Sequence, residues 1–430
     1  MNRLESRRHV EPGILAFVIA GIAGGISVPA SGVDLVAAGV DIIQDLSLDD
    51  AILIAGRPTF VRLGVIVPGS MEDFPGVDGV MRVFVDGQEV PESPIYSLNG
   101  PFAVPSHAIP VDEDSKLNFI FIPPQSDDVD FLFEVNPPGP NHVDEEDFTN
   151  NTTEVLDVAF VCRRAPELVY VPIDYRPGGG GEPNLPDEEV IKPGIGDGFV
   201  RGIYPAADWN YHRIPGLDLL WTQNVNSSET SLLNALSSLR ENTIPGMGLP
   251  EPDYIYGWLE GNPCSCNGIA IGTPGDAAFG NSELIRHQRT FAHELGHMFG
   301  MFHNSRMSDT VGVDVEHHLL DTEGLERMKS EDQWDIMVAG LLTHEAWIDE
   351  ISSNFVTSRP VLQCALGFTG DQPAPMLHVT GVVDTATGAV TLDPVMRLSA
   401  PKAPTPSVAA GATVRIDAFT SPEPGAGPIH

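Results

Sequence analysis

The segment at residues 293–303 constrains this chain more than any other, because its histidines recur at helical spacing and then break that spacing. It reads HELGHMFGMFH, so His293 and His297 stand four residues apart and Glu294 follows the first of them. Residues four apart lie one above the other on an α-helix, so the two imidazoles can aim at one ion. A third ligand must approach from another direction. Gly300 is placed to end the helix, because glycine takes positive φ without strain.

Beyond that glycine the chain can double back and present His303 as a third imidazole. Three neutral imidazoles suit Zn²⁺, which binds histidine nitrogen at about 2.0–2.1 Å and leaves its fourth position to water. Zinc lowers the pKa of that water to about 7 and polarises a carbonyl group. We expect Glu294 to take a proton from the water and later to deliver it to a leaving amine. Three incidental histidines on a helix are the alternative, but a chance match to H-E-x-x-H-x-x-G-x-x-H is roughly one in 10⁴.

This pattern resembles the signature of the metzincin clan of zinc endopeptidases. The resemblance implies one catalytic Zn²⁺ on His293, His297 and His303, with Glu294 as general base and acid in the cleavage of a protein or peptide substrate. It also implies a Met-turn, a tight turn that places a methionine beneath the metal. Met337 carries over to that position, and a plain core methionine is the alternative.

The same resemblance implies an edge strand at 268–272, along which an extended substrate pairs. Its pairing residues would be Gly268, Ile269, Ala270 and Ile271. Two positions depart from the clan's better-known families. Ala339 stands where several of them carry a tyrosine two residues beyond the methionine, and Asn304 follows the third ligand in place of Asp, Ser or Glu. The resemblance therefore extends to the clan and not to one family.

The rest of the chain predicts a multidomain protein. Short β-type runs between turn signals at 31–165 predict about seven strands in an antiparallel β-sandwich. Within it, the stretch DEEDFTNN at 144–151 resembles a late segment of the CARDB-like sandwich modules of secreted microbial proteins. Its carboxylates can hold Ca²⁺, although a solvated loop is the favoured interpretation.

Strands and helices alternate at 166–365, which predicts a central α/β domain, metzincin-like by the resemblance above. Its clearest helix spans 282–300, with His287 expected on the surface. Residues 366–430 predict the start of a C-terminal β-rich module, with a hairpin and a further strand.

Three arginines, an uncharged run at 13–28 and a Val-Pro-Ala sequence before Ser31 predict an export signal over residues 1–30. That run is short of the roughly 20 residues that span a bilayer. Four cysteines in an exported chain predict disulfides. The favoured pair is Cys162 with Cys364, near the two ends of the central domain, and the alternative is that Cys162 caps the zinc as a latency switch.

The net charge of −37, from 23 basic and 60 acidic residues, repels phosphate backbones and anionic lipid surfaces. We therefore expect neither nucleic-acid binding nor stable membrane insertion. The sequence thus predicts a secreted zinc metalloendopeptidase. An adhesion or matrix-binding protein with a vestigial peptidase scaffold is the main alternative, and a zinc hydrolase of non-protein amides is the third hypothesis.

Overall fold

The computed structural model describes residues 33–47, 52–106, 112–145, 147–207, 209–308, 310–315, 328–329 and 333–364, together with four strands between 376 and 419. The predicted export signal lies outside these residues. Within them the chain is rich in β-structure, with several separate sheets and few helices. The sequence expectation of a β-rich, multi-sheet chain is confirmed.

The N-terminal part contains short strands joined by turns. They are β1 (Val36–Ile43), β2 (Leu53–Ile54), β3 (Thr59–Ile66), β4 (Phe74–Val77), β5 (Gly79–Val85), β6 (Gln88–Glu89), β7 (Ile95–Tyr96), β8 (Phe102–Val104), β9 (Leu117–Phe121), β10 (Ser126–Val135) and β11 (Thr152–Val161). The prediction of about seven strands is too low, because β2, β6 and β7 are too short to show an alternating pattern in sequence.

Two of the N-terminal sheets pack face to face. One has the order β1-β3-β9 and the other β2-β11-β10-β5-β6, while β4 and β8 form a separate pair. Phenylalanine rings join the two main sheets, with Phe119 5.9 Å from Phe133 and Phe121 6.1 Å from Phe131 between ring centroids. The pairing departs from the predicted antiparallel pattern at one place, where β2 runs parallel to β11.

A second group of strands follows. They are β12 (Glu167–Tyr175), β13 (Asn210–His212), β14 (Leu219–Trp221), β15 (Tyr254–Leu259), β16 (Gly268–Ala270), β17 (Ala277–Asn281), β18 (Gly312–Val313), β19 (Met328–Lys329), β20 (Trp334–Asp335) and β21 (Ala346–Trp347). The helices are α1 (Glu188–Ile191), α2 (Gly198–Ile203), α3 (Glu229–Ser238), α4 (Ile244–Gly246), α5 (His287–Phe299) and α6 (Glu350–Thr357).

One sheet of this group has the order β13-β12-β15-β17-β16, with β14 also on β12, and every pairing is parallel except that of β16 with β17. Alternate side chains of β12 enter opposite cores, since Tyr170 packs with α2 and α5 while Val171 packs with α3. Both faces of the sheet are therefore covered by helices, and β16 is left at the edge.

Helix α5 begins five residues later than predicted, at His287. The expectation that His287 lies on the surface is wrong. Its side chain is fully buried, with its ring centroid 5.9 Å from that of Trp258. The buried face of this helix is wide, because α5 is covered by both the sheet and α2.

The favoured disulfide is confirmed. Cys162 pairs with Cys364 at a Cα–Cα distance of 6.0 Å, so Cys162 is not a zinc cap, and Cys264 pairs with Cys266. In the C-terminal part the structure describes β22 (Met376–Val383), β23 (Val390–Thr391), β24 (Met396–Ser399) and β25 (Thr413–Phe419), which form one antiparallel sheet around β22. No helix of the described residues is long and apolar enough to span a membrane.

Candidate metal centre

Three histidines converge at the end of α5. His293 and His297 lie on the helix, and His303 returns to them from the chain that follows it. The Nε2 atom of His303 is 3.0 Å from Nε2 of His293 and 3.1 Å from Nε2 of His297. Gly300 caps the helix with φ of 105°, in the left-handed region, and the N–H of Met301 donates to Gly296 O at 2.9 Å. The helix therefore ends at Gly300, and the chain turns back to bring His303 beside His293 and His297, as the spacing predicts.

The other ring nitrogens of the two helical histidines face backbone carbonyls. Nδ1 of His293 lies 2.8 Å from Ile336 O, and Nδ1 of His297 lies 2.8 Å from Met301 O. A carbonyl can only accept, so these short contacts assign the proton to each Nδ1 and leave a lone pair on each Nε2. Arg289 Nη2, which can only donate, lies farther from Nδ1 of His293, at 3.3 Å. Burial, then the nearby charge of Arg289, holds the pKa of His293 well below its usual range, and burial also lowers the pKa of His297. Both rings are therefore neutral at pH 7, as metal ligands must be.

These donors fit a zinc ion. A tetrahedral ion with bonds of about 2.0–2.1 Å separates neighbouring nitrogens by roughly 3.3 Å, close to the two distances between Nε2 atoms given above. His293 is buried, His297 is half-buried and His303 is exposed, so the group is reached from solvent on one side. Three imidazoles without a cysteine or carboxylate ligand form a donor set that zinc accepts with one position open.

Glu294 lies in the same cleft as the three histidines but is not one of the grouped ligands. Its side chain is only 5% exposed, and its carboxylate accepts a hydrogen bond from the backbone N–H of Ala270. Burial raises the pKa of Glu294 to about 8, against the opposing charge of Arg289. A carboxyl group with this pKa is mostly protonated at pH 7. A cation held by the neighbouring histidines would lower its pKa and favour the carboxylate that a general base needs.

Gly268 brings the backbone of β16 close to Glu294. A Cβ at this position would lie 2.9 Å from both Cγ and Oε1 of Glu294, and 2.6 Å from Cγ2 of Thr290. Only glycine fits there without displacing its neighbours. Strand β16 and helix α5 are thus held in contact at the carboxylate.

The predicted Met-turn residue, Met337, lies fully buried beneath α5. A Cβ on Gly296 would come within 2.5 Å of its Sδ atom, so helix and turn are in close contact. Arg289 joins the same two elements, because its Nη2 donates to Ile336 O at 3.1 Å and also to Val338 O. The chain segment that orients His293 through Ile336 O is therefore fixed by two contacts with the helix.

Sequence reasoning missed a buried carboxylate at the centre of this arrangement. Asp335 is fully buried, and its Oδ1 accepts from Asn304 Nδ2 at 2.6 Å and from Met337 N at 3.0 Å. Its Oδ2 accepts from Asp349 N at 3.1 Å. Burial, then the charge of Asp349, raises the pKa of Asp335. Asn304 was noted in the sequence only as a departure from better-known families, and nothing local in the chain indicated its partner.

The cleft has a volume of about 360 Å³. Its walls are formed by the histidines and Glu294, by the edge-strand region and by the turn after Met337: Cys266, Asn267, Gly268, Ile269, Ala270, Gly272, Thr273, Arg289, Thr290, His293, Glu294, His297, His303, Ala339 and Gly340. Ala339 leaves the wall without a tyrosine hydroxyl at that point.

The predicted pairing strand lies along this cleft, but it is shorter than expected. It ends at Ala270, and the N–H of Ile271 donates to Ala277 O at 2.8 Å, toward its own sheet. In an antiparallel pair, alternate residues direct their backbone N–H and C=O groups away from the partner strand. In β16 these residues are Gly268 and Ala270, whose backbone groups face the free edge of the sheet. The N–H of Gly268 already donates to Cys266 O at 2.8 Å, and that of Ala270 donates to Glu294. Ala270 O accepts from Gly272 N at 3.1 Å, but a carbonyl oxygen has a second lone pair, so the edge can still offer carbonyl groups, whereas both of these N–H groups are used.

Two other groups of possible ligands occur among the described residues. Glu229 lies near Cys264 and Cys266, whose sulfurs are joined to each other, and Asp128, Asp130 and Asp157 form an acidic group at the sandwich surface. Neither was predicted from sequence.

The segment expected to be a solvated loop or a Ca²⁺ site is partly structural. Glu145 accepts hydrogen bonds from Leu35 N at 2.7 Å and from Asn136 Nδ2 at 2.5 Å, so this carboxylate is committed to holding the N-terminal chain.

No protein-family profile and no curated protein sequence matches this chain. Among solved structures, the chain is similar to the CARDB domain of a Pyrococcus furiosus protein, whose crystal structure is a complex with di-metal ions. The identity is 18%, over 30% of this chain and 90% of that one, and the TM-score is 0.19. A similarity this low assigns neither a fold nor a function to the chain.

Proposed function

We propose that this chain is a secreted, zinc-dependent endopeptidase that hydrolyses peptide bonds in a protein or peptide substrate. One observation carries the proposal. Three imidazole Nε2 atoms meet in one cleft with a buried glutamate that follows the first of them, beside the open edge of a sheet. The resemblance of segment 293–303 to the metzincin signature agrees with it, and Met337, buried against Gly296 of α5, is the residue we propose for the Met-turn.

Each residue of the cleft has a separate role in the proposed hydrolysis. His293, His297 and His303 would hold the ion, which when bound supplies Lewis acidity and a lowered pKa for water. Glu294 takes a proton from a water molecule in the cleft and delivers it to the leaving amine. The Ala270 N–H steers the carboxylate by donating to it. The carbonyl groups at the edge of β16 accept from the N–H groups of an extended peptide.

The described disulfides and the charge support a location outside the cell. Disulfides persist in oxidising compartments and are rare in the cytosol. A net charge of −37 keeps the chain away from nucleic acids and anionic membranes.

The test is casein cleavage by the purified protein, with and without a zinc chelator, together with the metal content. Glu294→Gln keeps the shape of the side chain and removes its basicity, and we expect it to retain one zinc while its rate falls by about 10²–10⁴-fold. Glu241→Gln is the matched control, because that side chain is 54% exposed and lies outside the cleft. We expect the control to cleave casein at the rate of the unmodified protein.

Other results would select the other hypotheses. Cleavage of small amides without cleavage of casein would identify a hydrolase of non-protein substrates. One bound zinc without hydrolysis of either kind would identify a vestigial scaffold in a binding protein. Failure to bind zinc at all would overturn the proposed function.

A further inference from the structure

The sandwich and the zinc-ligand helix share buried structure. Strand β3 is buried on both sides, because Val61 faces the core of the sandwich while Phe60 packs against Val313 and Met328 from the second half of the chain. Leu46, just after β1, is fully buried in the same core cluster as α5. A tethered adhesion module would keep the outer face of its sheet in solvent, and this one does not.

Arg57 forms a polar link between the sandwich and the second half of the chain. It lies between β2 and β3 and is only 4% exposed. Its Nη2 donates to Gly202 O at 2.9 Å and to Gln44 O at 3.0 Å, and its Nη1 donates to Tyr204 O. One guanidinium of the sandwich thus holds the carbonyl groups at the end of α2, where a positive charge is favourable.

Tyr204 carries the contact onward to the candidate metal centre. The ring is fully buried, and its hydroxyl donates to Ala292 O at 2.7 Å, directly before His293. Its ring centroid lies 5.3 Å from that of Phe299 at the other end of α5. Tyr204 therefore binds Arg57 of the sandwich through its backbone carbonyl, and its side chain contacts α5, the helix that bears His293 and His297.

A second route runs through the other side of the site. Trp347 Nε1 donates to Asp45 O at 3.0 Å, and Ser353 of α6 donates to Asp45 Oδ2 at 3.1 Å. Asp349, at the start of α6, is bonded through its N–H to Asp335, which holds the turn at Met337. The sandwich thus contacts α2 through Arg57 and the region of Trp347 and α6 through Asp45, and each of these regions is bonded in turn to a segment that holds the histidines.

We propose that the N-terminal sandwich is a structural part of the metal centre, and that Arg57 is a positioning residue that fixes α5 through Tyr204. The sandwich is therefore not an independent adhesion or substrate-binding module. Removal of the sandwich would take away the Arg57 donor at the end of α2, the Asp45 acceptor of the Trp347 indole N–H and the packing of Phe60 against Val313 and Met328. The consequence for catalysis rests on the proposed function, whereas the consequence for the order of α5 does not.

The test uses the full chain without metal and measures amide hydrogen exchange. In Arg57→Ala we expect the amides of α5 to exchange about ten- to a hundredfold faster, while those of β10 and β11 keep their rates. Arg57→Lys keeps the charge and should restore part of the protection. Arg82→Ala is the matched control, because Arg82 is 41% exposed and its ion pair among the described residues is with Glu89, also of the sandwich.

Tyr204→Phe covers the case in which Arg57→Ala does not fold, since it removes one hydroxyl and keeps the ring. We expect faster exchange in α5 and about tenfold weaker zinc binding, in line with the loss of a supporting contact behind a metal ligand. If the protein is a peptidase, kcat should fall while KM changes little. Unchanged exchange in α5, or equal acceleration in every element, would overturn the proposal whether or not casein is cleaved.

Discussion

His287 offers a quantitative test of the structure, because its burial was not foreseen from the sequence. Burial lowers the pKa of this imidazole to about 4, from an ordinary value of 6.5. Its Nδ1 lies 3.2 Å from Leu284 O, and backbone hydrogen bonds with Leu284, Glu283 and Val190 oppose the effect of burial without cancelling it. The folded protein therefore holds the neutral ring, while the unfolded chain takes up a proton already at pH 6.5.

The sign and the size of the effect follow from this difference. The contribution of His287 to stability is complete above pH 6.5, falls as the pH drops toward 4, and changes no further below that. A difference of 2.5 pKa units at 1.36 kcal/mol for each unit amounts to about 3 kcal/mol. The variant His287→Leu removes the titrating group and keeps an apolar side chain beside Trp258.

Urea unfolding of the metal-free protein and of His287→Leu, at pH 7.5 and pH 4, measures the effect. The unfolding free energy of the unmodified protein minus that of the variant should fall by about 3 kcal/mol between the two pH values. Other titrating groups act in both proteins and cancel in this difference. A difference that stays constant with pH would refute the burial of a neutral histidine at this position.

Three further predictions concern the site and its frame. Gly268→Ala should displace Glu294, since its Cβ would lie 2.9 Å from the carboxylate, and should lower kcat/KM by about 100-fold while zinc remains bound. Casein cleavage and metal content measure this effect, and full activity would contradict the close approach of β16. Asn304→Ala removes a donor to buried Asp335 and should lower the unfolding free energy by about 1–3 kcal/mol; a urea midpoint equal to that of the unmodified protein would contradict it. Replacing Cys162 and Cys364 by serine opens a loop with a sequence separation of 202 residues and should cost up to about 5 kcal/mol in chain entropy, which thermal unfolding with and without the replacement would measure.

What the sequence predicts about the site is local in the chain. His293, His297 and Gly300 belong to one helix and its cap, so their spacing alone implied where they point. The elements around them depend on pairs far apart in sequence, such as Asn304 with Asp335. No local period encodes such pairs.

The same reason explains the errors in the fold. His287 was predicted on the surface because the sequence around a helix does not show which distant elements pack on it. The sheet and α2 bury the first turn of α5, and both are formed by other parts of the chain. The contact of Arg57 with Tyr204 joins residues 147 positions apart, and a single arginine in a turn carries no signal of it. The two-residue strands at the sheet edges are likewise below the length at which alternation is visible.

The disulfide between Cys162 and Cys364 has a mechanical consequence. Tension that enters the chain just before Cys162 and leaves just after Cys364 passes through the two sulfurs, so the 202-residue separation between them contributes no extensible length. Segment 293–303 lies wholly within that shielded stretch. A pull along the backbone between the sandwich and the C-terminal strands would therefore reach the three histidines only through side-chain contacts such as those of Arg57 and Asp45, and reduction of this one bond would place their own backbone under force.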